Sequence, residues 1–279
     1  MYLIVFTLSA HLAYLLIKEN QLRSTTFRRR KNSKMSALII TSSDVQLFEY
    51  LHACKVATIK QINRDIFQTS RVTCYQRIKK YQEKKFIKAI GVFQNDINCH
   101  AYEVTPKGEK IIKANLRDII SGNRFRSNSI EHDLLLVDIK NIFASKKMVK
   151  AYYTENQIQT YFDFRSEDNL QPFQEMQSDA CLILQKNDFD PIHVALELEL
   201  SVKATERYRQ KIREAYYLNV FGIIYICKDN FLIKKLQKID EEVREERRTK
   251  IYFSTLDEIL SSQEELTFYC HDGTSLPIF

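Results

Sequence analysis

Tryptophan is absent from this chain of 279 residues, and glycine and proline are scarce, with 5 and 4 residues. So few of these residues exclude a collagenous, linker-rich or low-complexity body. The 6 cysteines are widely scattered without a C-x-x-C pair. This scatter argues against a zinc site and is typical of buried thiols in a reducing cytoplasm. With 44% hydrophobic and 28% charged residues, we expect a soluble globular protein of one or two domains.

Residues 1–34 form an apolar and basic N-terminal extension. Its apolar run, Tyr2–Ile17, is shorter than the ~20 residues that comfortably span a bilayer. No basic stretch precedes the run and no clear cleavage site follows it, so it is a poor secretory signal. Three alternatives stay open: a start site placed upstream of a true start at Met35, a weak membrane anchor, or an ordinary helix. We expect no stable membrane insertion.

Positive charge is concentrated in the first part of the chain. Residues 1–118 hold 21 Lys and Arg against 9 Asp and Glu, whereas residues 119–279 hold 21 against 26. A basic module indicates a polyanionic partner. An acidic body fits carboxylates gathered around a cation, although a solvated surface explains each imbalance equally well.

Residues 35–120 carry the pattern of a winged helix-turn-helix. Three helices are predicted, starting at Ser43-Asp44, spanning 58–67 and spanning 71–86, and the strands 86–93 and 100–105 follow them as a hairpin. The third helix is expected to turn Val72, Tyr75, Ile78 and either Tyr81 or Gln82 inward. In a winged helix the third helix enters the major groove of DNA, and the hairpin contacts the backbone.

Five side chains are expected on the outer, DNA-binding face of the third helix. The basic ones would hold phosphates, while Gln76 or Arg77 would reach base edges. The full set is Arg71, Gln76, Arg77, Lys80 and Lys84. A winged helix that binds another protein is the alternative.

Residues 121–279 alternate between helical and strand patterns, which indicates an α/β domain. The predicted helices are 130–144, 203–218 and 230–246, and the predicted strands are 149–158, 179–184, 193–200, 220–227 and 250–253. The run 220–227 is continuously apolar, as expected of a buried strand. The pair Tyr216-Tyr217 is interpreted as core.

Three acids in this region suggest a metal site. Glu197 and Glu199 are two residues apart on an apolar strand, so both side chains leave the same face. Unpaired carboxylates are costly in a sheet core, and a third acid, Asp179, begins a nearby strand. Such a trio is what Mg²⁺ or Mn²⁺ needs. The alternative is an exposed edge strand with solvated glutamates.

The order of these motifs resembles the restriction-endonuclease-like, PD-(D/E)xK nuclease fold. Ser178-Asp179 stands for the Pro-Asp and Glu197 for the second acid, while Glu199 occupies the position where many such nucleases have lysine. With the winged helix, His132-Asp133 and Arg207-Tyr208 added, the chain is similar to the MobC-type relaxases and the wider replication-relaxation family. The resemblance covers most of residues 40–260.

The resemblance implies a metal-dependent, site- and strand-specific DNA nickase that acts at a plasmid transfer origin and starts conjugative mobilization. It implies plasmid DNA as substrate, a cytoplasmic location, Mg²⁺ or Mn²⁺ as cofactor, and an accessory mobilization protein and a type IV coupling protein as partners. The expected catalytic residues are Asp179, Glu197, Glu199, Lys203, Arg207 and Tyr208, with the acids as metal ligands and His132 and Asp133 in support.

Several alternatives remain open at this point. Lys203, Arg207 and Lys211 recur every four residues and would share a helix face that binds phosphate. The attacking group is either water or Tyr208, and Tyr208 is alternatively a packing residue. A rival function is a non-catalytic DNA-binding regulator of plasmid replication or transcription, which the missing strand lysine favours. A double-strand restriction enzyme is a weaker third option.

Overall fold

A computed structural model describes residues 40–94, 97–115, 129–187, 189–218, 220–244, 249–262 and 265–279. The predicted N-terminal extension, residues 1–34, lies outside these ranges. So does the predicted boundary between the two domains, at residues 120 and 121.

The first described part of the chain, residues 40–115, is called the N-terminal module below. It contains helices and a small antiparallel sheet whose strands follow the order β1-β3-β2. Its elements are α1 (Ser42–Cys54), β1 (Ala57–Thr58), α2 (Ile59–Ile62) with a π-helical turn (Asn63–Phe67), α3 (Arg71–Glu83), β2 (Ile87–Gln94), β3 (Ile97–Val104) and α4 (Pro106–Asn115).

Helix α3 starts as predicted, but its buried stripe differs from the prediction. The Ser70 hydroxyl accepts a hydrogen bond from the Thr73 N–H at 3.2 Å and caps the helix. Cys74, Ile78 and Tyr81 are the buried residues. The inward orientation predicted for Val72 and Tyr75 is therefore wrong, since these side chains are 66% and 52% exposed. Ile78 and Tyr81 are buried as predicted, and Cys74 takes the inward position in the first part of the helix, so the buried residues recur at i, i+4 and i+7.

The second part, residues 129–279, is called the body. Its mixed seven-stranded sheet has the order β10-β9-β8-β7-β6-β5-β4, with β6, β7 and β8 parallel and the remaining neighbours antiparallel. The strands are β4 (Val149–Thr154), β5 (Ala180–Leu184), β6 (Ile192–Glu199), β7 (Gly222–Cys227), β8 (Lys250–Thr255), β9 (Leu266–Tyr269) and β10 (Ser275–Ile278).

Helices cover both faces of this sheet, which confirms the mixed α/β class. The helices of the body are α5 (Ile130–Ala144), α6 (Glu155–Thr160), α7 (Asp163–Ser166), α8 (Gln171–Glu175), α9 (Thr205–Leu218), α10 (Asn230–Val243) and α11 (Leu256–Ser261). Side chains of α6 to α10 pack in one core cluster, and side chains of α5 and α11 pack in the other. The connections β6-α9-β7 and β7-α10-β8 join parallel strands through a helix.

Two further predictions for the body are corrected by the structure. The strand predicted to reach residue 158 ends at Thr154, because Thr154 and Gln157 form a capping box that starts α6. Tyr216 is buried and donates to Asp240, as a core residue should, but Tyr217 is exposed. The hairpin of β9 and β10 and the short helices α7, α8 and α11 were not predicted, because short elements show too few residues for a clear period.

The N-terminal module and the body are joined by buried contacts. The Gln61 amide donates to the Leu134 carbonyl at 2.9 Å, and the Asn156 amide donates to the His52 carbonyl at 2.8 Å. Val137 of α5 belongs to the apolar core of the module. The two parts therefore share a packed junction.

No helix within the described ranges has the length and apolar character needed to cross a membrane.

Substitution of Leu236 by Ala should destabilise the protein by about 2–5 kcal/mol, because Leu236 is fully buried under α10 and the change leaves a cavity. Phe231→Ala on the same helix is the control, since Phe231 is 69% exposed and its loss should cost about 0.5 kcal/mol or less. Urea denaturation measures both. Equal effects of the two changes would contradict the packing of α10.

Candidate active site

The three predicted acids lie close together at the ends of two neighbouring strands. Asp179 directly precedes β5, which pairs antiparallel with β6. The Leu198 N–H donates to Asp179 Oδ2 at 2.8 Å, so this carboxylate lies at the level between Glu197 and Glu199 along β6. The expectation that the E-x-E pair shares a face with an acid from the adjacent strand therefore agrees with the register.

Both glutamates are buried, and each is paired with a lysine. The Lys211 ammonium donates to Glu197 Oε2 at 2.5 Å, and the Lys203 ammonium donates to Glu199 at 2.8 Å. The glutamate side chains are only 3% and 4% exposed. Buried carboxylates require such partners, because the removal of an unpaired charge from water costs roughly several kcal/mol. The alternative of solvated glutamates on an exposed edge is excluded.

Burial raises the pKa of Glu197 to about 8. The Lys211 ammonium acts in the opposite direction, whereas the negative charges of Asp179 and Glu199 raise this pKa further. Burial would lower the pKa of Lys211, but Glu197 and Asp179 hold it above its usual value. The site thus combines a charged lysine with more carboxylate groups than that lysine neutralises.

His132 connects Asp179 to a second buried acid. Its Nε2 lies 3.4 Å from Asp179 Oδ2 and 3.1 Å from the Leu198 carbonyl oxygen, and its Nδ1 lies 3.5 Å from Asp133 Oδ1. Burial would lower the pKa of His132, but the contacts to Asp133 and Asp179 raise it to about 10. Burial would raise the pKa of Asp179, yet His132 and Lys211 hold it at about 2. His132 is therefore an imidazolium that orients Asp179.

Tyr208 lies beside the site but is buried. Its hydroxyl accepts from the Lys203 N–H at 3.0 Å and lies 3.2 Å from the Ser201 carbonyl, to which it donates. Burial raises the pKa of Tyr208 to about 12, although the Lys203 N–H acts against the shift. A phenol attacks only after losing its proton. The geometry therefore favours a packing and positioning role over nucleophilic attack.

The structure distributes the three predicted cations of this region differently. Lys203 lies before α9 and Lys211 lies within it, and both reach the acids. Arg207, between them, is exposed. A step of four residues along a helix turns ~40° further than one full turn, so Arg207 and Lys211 lie at different positions around the axis of α9. Lys211 lies closer than Arg207 to the buried face of α9 that contains Tyr208. It was not among the expected catalytic residues.

The acids fit a divalent cation by their chemistry, since carboxylate oxygens suit Mg²⁺ and Mn²⁺. In the structure as described, Glu197 Oε1 is buried without a hydrogen-bond partner, so its bonding capacity is unmet. Among the described residues, however, no group of three or more His, Cys, Asp or Glu side chains is arranged to hold a metal. Lysines pair with Glu197 Oε2 and with Glu199, and His132 contacts Asp179 Oδ2, so the metal site stays a prediction.

The predicted DNA-binding residues differ in how they are placed on α3. Arg71, Gln76 and Lys80 are exposed, and Lys84 is half-buried. The Arg77 guanidinium is held within the module, at 3.1 Å from Asp44 Oδ1 and stacked over the ring of Phe67. The Arg77 side chain therefore packs within the module. Val72 and Tyr75 share the exposed surface of α3 with the polar residues.

Comparisons with known proteins give little guidance. No protein family matches the chain, and no curated protein matches it. Two solved chains are similar in structure, both single-residue mutants of ZitR from Lactococcus lactis, with 15% and 16% identity. Each match covers 39% of this chain and 73% of the ZitR chain, with a TM-score of 0.25. A score this low supports no conclusion about fold or function.

The stability of the metal-free protein should fall between about pH 5 and pH 8 because of Glu197. Its pKa in the folded chain is about 8, above the usual 4.5, so the folded chain binds more protons than the unfolded chain in this range. The free energy of unfolding then decreases with pH, by up to about 1.4 kcal/mol per pH unit from this group.

Glu197→Gln removes this titration, so the variant should lack that part of the slope when urea denaturation is repeated across the same pH range. Glu241→Gln changes an exposed acid and should keep the wild-type slope. Parallel curves for wild type and Glu197→Gln would show that Glu197 is ionised throughout.

Proposed function

We propose that this protein is a metal-dependent DNA endonuclease of the relaxase type, which nicks one strand of plasmid DNA at a transfer origin and so starts conjugative mobilization. The observation that carries the proposal is the cluster of two buried acids, Glu197 and Glu199, with the half-buried Asp179 and Lys211. An acid before one strand, an E-x-E on the next and a lysine at their side supply the groups that phosphodiester cleavage uses. Cytoplasmic action, an accessory mobilization protein and a type IV coupling protein belong to the same proposal.

The N-terminal module supports the proposal as a winged helix that binds DNA. Its helices α1 to α3 are followed by the hairpin of β2 and β3, which is the order of a winged helix-turn-helix. The exposed side chains of α3 include Arg71, Gln76 and Lys80. These residues suit contacts with phosphates and base edges.

Each residue of the site takes a role that follows from its contacts. Asp179 and Glu197, with Glu199, would hold Mg²⁺ or Mn²⁺, which would neutralise charge on the scissile phosphate. His132 orients Asp179. Lys211 lies where it can neutralise negative charge on the carboxylates. It would bind a phosphate oxygen after its ion pair with Glu197 is broken.

Glu197→Ala should abolish metal-dependent nicking, because the acid next to Lys211 is lost. The assay follows conversion of supercoiled plasmid, carrying the DNA that flanks this gene, to the open circle with Mn²⁺. Binding of the same DNA as a linear duplex should stay unchanged, since Glu197 lies in the body. Glu241→Ala is the matched control, an exposed acid that should leave nicking intact. Normal nicking by Glu197→Ala would end the catalytic interpretation.

Lys211→Met should reduce nicking by roughly 100-fold or more, the scale expected when a positioned charge at a reacting phosphate is removed. Arg207→Met, one turn earlier on α9, should change nicking by less than about three-fold, because Arg207 is exposed to solvent. Rates measured at saturating Mn²⁺ separate the two. A larger loss with Arg207→Met than with Lys211→Met would reverse the assignment.

The rival function is a DNA-binding regulator of plasmid replication or transcription without nuclease activity. The pairing of Glu197 and Glu199 with lysines favours it, because such pairs stabilise a body that never binds metal. The relaxation assay separates the two functions. A regulator shifts the duplex in a gel and leaves supercoiled plasmid uncut with both Mg²⁺ and Mn²⁺.

A further inference from the structure

The residue that follows α1, Lys55, has an unusual backbone. Its φ is 64° and its ψ is −52°, and the Val56 N–H donates to the Cys54 carbonyl at 2.7 Å. This is the rarer, strained form of γ-turn, centred on a residue that is not glycine. Such a conformation persists in a residue other than glycine only where the surroundings impose it. The side chain of Lys55 indicates what those surroundings are.

The Lys55 ammonium crosses from the N-terminal module into the body. It lies 3.3 Å from Asp133 Oδ1 on α5, and it also forms a short ion pair with Glu155 on α6. The Lys55 side chain is only 11% exposed. Removing one partner from a pair of buried charges is costly. These two ion pairs therefore hold the Lys55 side chain in place and oppose relaxation of the strained turn.

Asp133 continues the chain of contacts toward the candidate active site. Its Oδ1, which contacts Lys55, also lies 3.5 Å from His132 Nδ1. The other ring nitrogen of His132 lies 3.4 Å from Asp179 Oδ2, which accepts from the Leu198 N–H on β6. The side chains of Asp133, His132 and Asp179 thus connect Lys55 of the N-terminal module to β6, the strand that carries both glutamates.

A small cavity lined by both apolar and charged side chains lies along this path. It has a volume of about 20 Å³, and Lys55, Asp133, Glu155, Tyr152 and Asp179 are among its lining residues. Within the described ranges, Asp133 Oδ2 and the Tyr152 hydroxyl are buried without a hydrogen-bond partner. A space of this size holds about one water molecule. With so little solvent between them, the charges along the path interact strongly.

We propose that Lys55 is a positioning residue, through which the N-terminal module sets the orientation of Asp179 beside Glu197. Its ammonium holds Asp133, Asp133 holds His132, and His132 holds Asp179. The consequence for cleavage rests on the proposed nuclease function. The positional link itself belongs to the protein without DNA or metal, so it can be tested separately.

The Leu198 amide hydrogen reports directly on this link, because it is bonded to Asp179. We expect Lys55→Met to speed hydrogen exchange of that amide by on the order of ten-fold in the metal-free protein, measured by NMR, which is the scale expected when a hydrogen bond to a carboxylate is weakened. Lys55→Gly removes the same ammonium while relieving the strained φ, so it serves if the Met variant does not fold. The Ile224 amide in β7 should exchange as in the wild type.

Arg64→Met is the matched control. Arg64 also joins the module to the body, through Asp138 on α5 at 2.6 Å, and this contact does not include His132. We expect wild-type exchange at Leu198 in this variant. In the nicking assay the two Lys55 variants should be slowed by about ten-fold with unchanged duplex binding, the same scale as for the outer partner of a site.

Wild-type exchange at Leu198 in either folded Lys55 variant would overturn the proposal. Equal acceleration in Arg64→Met would also overturn it, because loosening of the junction alone would then explain the effect. If neither Lys55 variant folds, the lysine serves stability and not positioning. If the wild-type protein nicks no DNA, the proposed function fails, and the exchange at Leu198 still decides the role of Lys55.

Discussion

Burial of Glu197 and Glu199 on an apolar sheet face is the constraint on which the rest of the structure depends. A carboxylate removed from water must be protonated or paired, and both glutamates are paired with lysines. This requirement places α9 against β6, because Lys211 must reach Glu197 from that helix. It also makes the site electrostatically unusual, since Asp179 adds a third negative charge and the pKa of Glu197 rises to about 8.

The same constraint gives the site its proposed chemistry. Carboxylates held by lysines can exchange these partners for a divalent cation, and the lysines released in this way can hold a phosphate. Under the proposed function, lysines would stabilise the site without metal, and the site would be active with metal. The N-terminal module is connected to this arrangement, because Lys55 contacts Asp133, Asp133 contacts His132, and His132 contacts Asp179.

Much of the fold and part of the site were predictable from local patterns. The continuous apolar run of β7, the period of α5 and the cap of α3 each depend on neighbouring residues in the chain. The shared face of Glu197 and Glu199 follows from the alternation of a strand. The buried position in the first part of α3 was not predictable, because Val72 and Tyr75 are as apolar as Cys74, which the structure buries. Short elements such as β9 and β10 were missed for lack of a repeated pattern.

The sequence by itself determined that two acids share a strand face and that a row of cations follows them, because both facts depend on the fixed repeat of a strand and a helix. Only the tertiary structure decided which cation meets which acid. That choice depends on where α9 begins and how it is rotated against the sheet, which selects Lys211 and leaves Arg207 in solvent. The contact of Lys55 with Asp133 was likewise hidden, because residues 78 positions apart meet only through packing of the module on the body.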